Sequence, residues 1–510
     1  MYTRKDVAHH NARHSCWVIV NNQVYDMTRF LDAHPGGAGA ILLYAGKDAT
    51  AVFEATHPAG TLGQLPHGLY YTPPQHAARP VQMANTEQIT VSDPLTPSQP
   101  PAPATVSTPA PHLHTVQSLN EFESIAKSCL PPNAWAYYSS AADSLASLHK
   151  NLTDWSKITL RPRILRNVSR VSLGRNIMGH RSCLPVFIAP TARAKLGHPD
   201  GEVCLARAAA RHNILYAVSS YASVGHAELA EEFIKEKTSL IPAGVRSGQG
   251  ALAFQLYLPH DKEKGGRALI AKAKDLGYQA LVVTVDTPVV GKREANERFQ
   301  AELEVSSSDR AGVQIDVPRK AEPGSDAPVL RGFHSSTLNW DDIPWIRDAW
   351  GPQPLVIKGI QTAEDALRAS EAGVDGIYLS NHGGRQLDHA PSSIQTLLEI
   401  NHFCPEVLKR VEVYLDGGVR RGTDVIKAIC LGATGVGLGR PLLYALSGYG
   451  TGGVDKALQI LSDEIETSLR LMGVVDVSEL DFSFVNTTAL EKDLVSARNL
   501  DGRIKVRHKL

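Results

Sequence analysis

Short runs of apolar and β-branched residues recur through the last two thirds of the chain, and amphipathic segments lie between them. Eight strand-helix units over roughly three hundred residues favour a (β/α)8 TIM barrel, an α/β fold, over a doubly wound sheet. The predicted strands are Pro185–Ala189, Leu215–Val218, Ala253–Tyr257, Ala280–Val285, Pro354–Ile357, Gly376–Leu379, Glu412–Leu415 and Gly435–Leu438. The predicted helices include Gly201–Arg211, Gly265–Leu276, Thr362–Glu371 and Thr423–Leu431.

One predicted connection is much longer than the others. Residues 291–333 are rich in charged and small side chains, and we expect them to form a mobile lid. Polar residues follow the predicted strands, at the carboxyl ends where barrel enzymes carry their chemistry. The pattern therefore predicts an enzyme site at that end of the barrel.

The composition changes in front of the barrel. From about Pro73 to Pro111 the chain is rich in Pro, Ser, Thr, Gln and Ala, which predicts a flexible linker. The segment before the linker is small for an independent core, and a buried prosthetic group would complete that core. We predict a small α+β domain at 1–72, a Pro-rich linker at 73–112, the barrel at 113–490 and a C-terminal tail at 491–510.

Charge and cysteine content exclude several classes of partner. Fifty-two basic residues balance fifty-two acidic ones among 510, so the chain lacks the long-range field of a nucleic-acid binder. The six cysteines are scattered, which argues against a disulfide framework or a zinc site. No apolar run reaches the ~20 residues that cross a bilayer. We expect a small-molecule enzyme with neither nucleic acid nor membrane as its partner.

The segment from Leu379 to Asp388 carries the first chemical signal. It places the imidazole of His382 three residues before the guanidinium of Arg385, on a glycine-rich stretch after a predicted strand. An imidazole accepts a proton near neutral pH, and a guanidinium binds a carboxylate through two parallel hydrogen bonds. The pair suits chemistry on a 2-hydroxy acid.

A phosphate site is the second signal. Small residues and arginines follow the seventh and eighth predicted strands, at 416–422 and 437–440, which is the usual phosphate-binding corner of a barrel. A dinucleotide fingerprint is rejected because Arg440 stands where its third small residue is required. These glycines could also serve only tight turns, and that alternative stays open.

Two histidines in front of the linker are the third signal. His34 precedes Pro-Gly-Gly, and His57 follows 23 residues later, so both can be axial ligands of one haem if each ends a loop-helix corner. Alone, His-Pro-Gly-Gly could be a helix-starting turn. The stretches 16–26 and 30–57 resemble the cytochrome b5 family. The resemblance implies haem b held by His34 and His57, and a role in electron transfer.

Six motifs in the barrel resemble the FMN-dependent 2-hydroxy-acid dehydrogenase and oxidase family over about 113–490. They are Ile188-Ala-Pro-Thr-Ala, Gln255-Leu-Tyr, Thr284-Val-Asp-Thr-Pro, Ile357-Lys-Gly, Ser380-Asn-His-Gly-Gly-Arg and Asp416-Gly-Gly-Val-Arg-Arg-Gly. The resemblance implies FMN as cofactor. Together with the haem domain, it is similar to the members of that family that oxidise L-lactate with cytochrome c as acceptor.

The resemblance also implies catalytic roles. His382 would be the base, and Asp286 would stabilise its imidazolium. Arg385 and Tyr137 would hold the substrate carboxylate, while Tyr257 contacts the substrate oxygen. Arg293 would add a second cation to the substrate site. Seen singly, Asp286 could be a structural ion pair and Tyr257 a core aromatic.

The same resemblance implies a set of cofactor-binding residues. Lys358 would stabilise negative charge at the flavin pyrimidine edge. The implied FMN contacts are Thr191, Ala192, Ser219, Gln255, Thr284, Lys358, Asp416, Gly418, Arg420, Gly439 and Arg440. Three residues depart from the family pattern and leave the substrate open: Ala141, Arg193 and Tyr221.

The resulting hypothesis is a dehydrogenase. The chain would oxidise an L-2-hydroxy acid, L-lactate first, to the 2-keto acid on FMN and pass electrons singly through haem b to an acceptor such as cytochrome c. The alternatives are an oxidase that uses oxygen and a non-catalytic flavohaem redox sensor. Barrel relatives imply a homotetramer.

The expected compartment rests on the two ends of the sequence. Met1 runs directly into the predicted haem domain, and His508-Lys509-Leu510 is a loose variant of a peroxisomal address. We expect a cytoplasmic or peroxisomal protein, with the mitochondrial intermembrane space as the alternative.

Overall fold

The structure is a computed structural model of the chain. It describes residues 4–31, 34, 38–50, 52–53, 57, 110–240, 250–311 and 334–496. Most of the predicted linker, the second half of the predicted lid and the end of the predicted tail lie outside these residues. The chain splits into two compact units, Met1–Ala110 with Asn296–Ser325, and Pro111–Ala295 with Asp326–Leu510.

The first unit contains a small antiparallel sheet. Its strands are β1 (Asn11–Ala12), β2 (Ser15–Val20) and β3 (Gln23–Asp26), and its short helices are Arg4–Ala8 and Ala38–Leu42. Strand β2 is almost continuously apolar, and Cys16, Val18 and Val20 enter a core with Phe30 and Leu31. This α+β arrangement confirms the predicted class of the N-terminal domain.

Three short strands of the second unit precede the barrel. They are β4 (Thr159–Leu160) and the hairpin of β5 (Arg175–Ile177) and β6 (His180–Ser182). Eight parallel strands then close into a barrel: β7 (Val186–Ile188), β8 (Tyr216–Val218), β9 (Leu252–Leu256), β10 (Ala280–Thr284), β11 (Leu355–Ile360), β12 (Gly376–Leu379), β13 (Glu412–Leu415) and β14 (Gly435–Leu438). Strand β14 pairs with β7, and β15 (Val485–Asn486) pairs with β4.

Most residues on both faces of the barrel strands are apolar, and helices cover the outer face. The helices of this unit are Leu119–Cys129, Pro132–Ser139, Ala146–Thr153, Glu202–His212, His226–Ser239, Lys262–Asp275, Ile343–Trp350, Ala363–Glu371, Ser393–Phe403, Val407–Arg410, Gly422–Cys430, Arg440–Met472 and Thr488–Glu491. One further helix, Glu294–Ala311, begins in this unit and continues into residues of the first. The 3-10 turns are Leu113–Thr115, Asp154–Lys157, Ala194–Leu196, Trp340–Asp342, Val477–Glu479 and Phe482–Phe484.

Alternate strand residues form two separate cores, as the two-residue period of a strand requires. One cluster includes Phe187, Val282, Val356, Tyr378 and Tyr414, which face the barrel interior. The other residues of the strands pack against the helices. The barrel is therefore a filled core, and chemistry is confined to its ends.

The predicted barrel is confirmed, with small shifts at the element ends. Strands β12, β13 and β14 have the predicted bounds, while β7 and β11 begin one residue after Pro185 and Pro354. Proline lacks the N–H that a central strand donates, which explains both starts. The helix Glu294–Ala311 lies inside the segment expected to be a lid, whose mobility stays a prediction. No helix among the described residues is long and apolar enough to span a bilayer.

Candidate active site

Polar side chains or small residues from all eight barrel strands meet at the carboxyl ends of those strands. Each strand supplies one of them, either within its last residues or in the loop that follows. They are Thr191, Ser219, Gln255, Thr284, Lys358, Ser380, Asp416 and Gly439. Parallel strands bring these ends together, so residues spread over some 250 positions of sequence share one site.

His382 has a different partner on each ring nitrogen. Its Nδ1 lies 2.9 Å from a carboxylate oxygen of Asp286, and its Nε2 lies 3.2 Å from the hydroxyl of Tyr257. The Asp286 side chain is fully buried, whereas that of His382 is 21% exposed. The carboxylate holds the proton on Nδ1 and directs Nε2 toward the open side of the site.

The backbone around His382 is held in an uncommon conformation. His382 has φ +59°, and Gly383 and Gly384 have φ +66° and +77°. The Asn381 side chain accepts the Gly384 N–H at 2.9 Å and exchanges two hydrogen bonds with Asn151. Left-handed backbone in a non-glycine residue persists only where surrounding contacts hold it. These contacts fix the imidazole in place.

The electrostatics of the pair suit a base. Burial lowers the pKa of His382 and outweighs the opposing effect of Asp286, so the ring is neutral at neutral pH. Burial raises the pKa of Asp286, but the imidazole of His382 and the ammonium of Lys358 lower it to about 2. A neutral imidazole beside a fixed carboxylate can accept a proton and be stabilised as imidazolium.

Arg385 lies against Tyr137, as expected for a carboxylate-binding pair. Its guanidinium carbon is 5.1 Å from the centre of the Tyr137 ring, and its Nη1 donates to the carbonyls of Tyr137 and Ser140 at 2.9 and 2.7 Å. Burial and the nearby charge of Arg293 lower the pKa of Arg385. The site thus concentrates positive charge where a substrate carboxylate is expected.

Lys358 belongs to a buried network under the site. Its Nζ donates to Ser380 Oγ at 2.9 Å, and Ser380 Oγ donates to Asp416 at 2.7 Å. The Tyr378 hydroxyl donates to the second carboxylate oxygen of Asp416 at 2.9 Å. The network fixes the ammonium at the carboxyl end of β11, where Asp416 acts on it through Ser380 and also directly, with a carboxylate oxygen 3.8 Å from Nζ.

Several residues fit the FMN that the motifs imply. The hydroxyl of Thr191 is buried and has no hydrogen-bond partner among the described residues, although buried hydroxyls require one. Gln255 Nε2 donates to Thr284 Oγ1 at 3.0 Å. The hydrogen bond places one side-chain amide and one hydroxyl at the ends of adjacent strands. Burial lowers the pKa of Arg440, with a further contribution from Arg420. Orphaned polar atoms and clustered cations suit a ligand that carries a phosphate.

Other predicted cofactor residues have partners within the protein. Arg420 lies 3.2 Å from a carboxylate oxygen of Glu123. Gly418 has φ +76°, and an added Cβ would lie 1.6 Å from the carbonyl oxygen of Asn151. Ser219 Oγ accepts the Tyr221 N–H at 3.1 Å, and Ala192 is partly buried in the turn after β7. Their part in cofactor binding stays a prediction.

The two expected haem ligands lie close together in the first unit, with their ring planes at 44° to each other. The ring centres of His34 and His57 are 5.9 Å apart. His57 Nδ1 lies 3.2 Å from the carbonyl oxygen of Phe53, and an Nδ1 proton donated there leaves Nε2 as the ligand atom. The geometry fits two imidazoles that bind one iron from opposite sides.

Three residues of the site were not among the predicted ones. Ser380 connects Lys358 to Asp416, and its Oγ also accepts the His382 N–H at 3.0 Å. Gln386 Nε2 donates to the carbonyls of Asp286 and Val289 and so holds the loop after β10. The His334 ring stacks on Tyr257 with ring centres 4.2 Å apart. Ser380 and Gln386 adjoin the His382 motif in sequence, whereas His334 has no local signal.

Family comparisons agree with this geometry. The model of the FMN-dependent dehydrogenase family matches residues 126–487, and that of the cytochrome b5-like heme/steroid binding domain matches residues 3–72. The L-lactate dehydrogenase (cytochrome) of Wickerhamomyces anomalus is 38% identical over 97% of this chain and 81% of its own length. Glycolate oxidase 3 of Arabidopsis thaliana is 37% identical over 73% of this chain and 96% of its own length.

A solved structure gives the same result. The recombinant flavin-binding domain of baker's yeast flavocytochrome b2 is 36% identical, with a TM-score of 0.65, over 76% of this chain and 91% of that one.

Proposed function

The chain belongs to the FMN-dependent dehydrogenase family, and from that premise we propose that it oxidises an L-2-hydroxy acid, L-lactate first, to the 2-keto acid. FMN is the cofactor of the barrel and haem b that of the N-terminal domain. Electrons then pass singly through the haem to an acceptor such as cytochrome c. The observation that carries the proposal is His382, held by Asp286 on one nitrogen and facing Tyr257 with the other.

Each residue of the site has its own role in binding the substrate or in moving a proton. Arg385 and the Tyr137 hydroxyl bind the substrate carboxylate, and Tyr257 orients the substrate oxygen near His382. His382 Nε2 accepts a proton from the substrate, and Asp286 stabilises the resulting imidazolium. FMN supplies the oxidant when bound, and Lys358 provides positive charge where the reduced cofactor gains negative charge.

The two alternatives differ in what they require of the chain. A non-catalytic sensor needs no proton-accepting set, yet His382, Asp286 and Tyr257 form one. The glycolate oxidase relative matches 73% of this chain, whereas the lactate dehydrogenase relative matches 97%. The haem-binding match at residues 3–72 favours the haem as electron acceptor over oxygen.

Anaerobic spectroscopy tests the proposal. Full-length protein carrying FMN and haem is mixed with L-lactate or D-lactate, and the flavin and haem bands are followed separately. We expect L-lactate to bleach the flavin first and then reduce the haem, with no change from D-lactate. Flavin reduction without haem reduction would support the oxidase instead, and a flavin left unchanged by L-lactate and by longer L-2-hydroxy acids would support the sensor.

Assembly and compartment complete the proposal. A homotetramer is proposed on family grounds and is tested by light scattering of the purified holoenzyme. Nothing in the charge balance favours a membrane as partner. A cytoplasmic or peroxisomal location is tested by imaging the full chain with and without residues 508–510.

A further inference from the structure

Arg193 occupies a turn that fixes its direction. It follows β7, has φ +60°, and its carbonyl accepts the Tyr138 hydroxyl at 2.8 Å. Its backbone N–H donates to the Tyr221 carbonyl at 3.4 Å, which joins the turns after β7 and β8. Its guanidinium carbon lies 5.1 Å from the centre of the Tyr137 ring. The backbone contacts hold the turn, and the contact with Tyr137 places the guanidinium beside the predicted substrate site.

Tyr137 has two guanidiniums as neighbours. Arg385 lies at the same 5.1 Å from the ring centre as Arg193, so the two guanidinium carbons are at most twice that distance apart. Burial raises the pKa of the Tyr137 hydroxyl, but Arg193, Arg385 and Arg293 together bring it below its ordinary value. If Arg385 binds the 1-carboxylate of the substrate, Arg193 is within reach of a second anion in the same molecule.

Arg193 has no carboxylate partner within the described part of the chain. Other arginines of this unit do: Arg207 pairs with Glu232, Arg211 with Glu236, and Arg420 with Glu123. Glu202, whose charge also acts on Tyr137, accepts the N–H groups of Ala194 and Ser223 and the Ser223 hydroxyl. Arg193 is half-buried and contacts the same ring as Arg385, and a partly desolvated cation without a counter-charge favours an anion as its partner.

The wall next to Arg193 is polar. The Tyr221 hydroxyl lies 3.3 Å from His334 Nδ1, and the Tyr221 ring centre lies 5.7 Å from that of Tyr257. Burial lowers the pKa of His334 to about 4, so its ring is a neutral hydrogen-bonding group. A methyl group such as that of lactate gains most from an apolar wall, whereas a polar substrate group gains from these donors.

We propose that Arg193, with the Tyr221 hydroxyl, forms a second anion subsite, and that the protein accepts L-2-hydroxy acids with a terminal second carboxylate in preference to neutral ones of equal length. This rests on the proposed function. In the reaction the C2–H and 2-hydroxyl O–H bonds break and a C2=O bond forms, which gives a 2-keto dicarboxylate; His382 would take one proton, and bound FMN would take the two electrons and the second proton.

Two substrates of equal length separate the effect of a terminal carboxylate charge from the effect of chain length. L-2-hydroxyglutarate and L-2-hydroxyvalerate have five carbons each and differ in a terminal carboxylate against a terminal methyl. We expect the kcat/KM ratio of the first to the second to exceed about tenfold, as one charge-assisted contact provides. In Arg193→Met the ratio falls by about tenfold or more, and Arg193→Lys retains most of it. Arg211→Met, whose guanidinium is already paired with Glu236 and Asp455, leaves the ratio unchanged.

Binding gives a readout independent of turnover. Dissociation constants for 2-oxoglutarate and 2-oxovalerate are measured on the oxidised holoenzyme from the change in flavin absorbance, in the wild type and in Arg193→Met. We expect 2-oxoglutarate to bind more tightly, and only its affinity to depend strongly on Arg193 and on ionic strength.

The outcomes separate the two proposals. If no L-2-hydroxy acid reduces the flavin, the proposed function is wrong. If 2-hydroxyvalerate is oxidised and the ratio is near one in both wild type and Arg193→Met, the subsite is wrong and the function stands. If L-mandelate is the preferred acid and loses most from Arg193→Met, Arg193 binds an aromatic ring by cation–π contact, which also overturns the anion subsite.

Discussion

Asp286 and His382 are separated by 96 residues of sequence and by 2.9 Å in space. The carboxylate is buried, its second oxygen lies 3.1 Å from the same Nδ1 of His382, and its first oxygen also accepts the Thr287 hydroxyl at 2.8 Å. One carboxylate therefore sets both the tautomer of the imidazole and the energy of its protonated form. The consequences can be measured.

Asp286→Asn should lower kcat/KM by about 10²- to 10⁴-fold, the range that general acid–base catalysis contributes, because an amide cannot stabilise imidazolium. Thr287→Val is the matched control. It removes a hydrogen bond from the same carboxylate but keeps the charge, and we expect a change of less than about tenfold. Steady-state kinetics with FMN content determined for each variant checks both. A kcat/KM for Asp286→Asn within threefold of wild type would contradict the role.

The same pair determines the acid limb of the pH profile. Burial lowers the pKa of His382 below its ordinary 6.5, and only the neutral ring accepts a proton. The activity of the free enzyme should therefore persist as pH falls through 6.5 and be lost only at lower pH. A profile of log kcat/KM against pH measures the midpoint. An acid midpoint at or above 6.5 would show that the ring is stabilised as a cation before substrate binds.

The sequence predicted this site better than it predicted the walls around it. His382 and Arg385 lie in one local motif after β12 and were predicted from it, whereas Ser380 adjoins that motif but was not predicted as a site residue. His334 contacts Tyr221 across 113 residues, and no local pattern marks that contact because closure of the barrel creates it. Arg420 pairs with Glu123 from the helix Leu119–Cys129, a partner that no local pattern marks, and its role at a phosphate stays a prediction. The positions of the strands can be predicted from the spacing of apolar residues along the chain, whereas the contact partners of individual side chains depend on how the folded chain packs.

His334 makes stability depend on pH. Its pKa of about 4 in the folded protein lies below the ordinary 6.5, so the unfolded chain binds more protons between these values. The contribution to the free energy of unfolding is present above pH 6.5 and is lost as pH falls toward 4, by up to about 3 kcal/mol. His334→Phe keeps a ring on Tyr257 but does not titrate. Urea unfolding at pH 7, 5.5 and 4.5 should show a weaker pH dependence for the variant; equal slopes would contradict the shift.

The haem assignment is tested in the full-length holoenzyme. His34→Ala or His57→Ala should abolish the low-spin spectrum of the haem, since each would remove one of two axial ligands. Flavin reduction by substrate should remain, because it uses the barrel residues alone. His9→Ala replaces an exposed histidine of the same unit and should leave the spectrum unchanged. A low-spin spectrum retained by either ligand variant would refute the assignment.

Two glycines with nearly equal backbone angles separate conformational strain from close packing. Gly418 and Gly277 have φ +76° and +77°, so alanine at either position suffers the left-handed penalty of about 1–2 kcal/mol. An added Cβ at Gly418 would lie 1.6 Å from the Asn151 carbonyl oxygen, whereas none of the described atoms considered lies within 4 Å of one at Gly277. We expect Gly277→Ala to show only the first penalty. Gly418→Ala must also displace the end of the helix Ala146–Thr153, which sits beside the loop after β13, and should unfold at a clearly lower urea concentration and lose FMN. Equal urea midpoints of unfolding for the two variants would show that the helix can move away without destabilising the protein, and that its contact does not stabilise the loop.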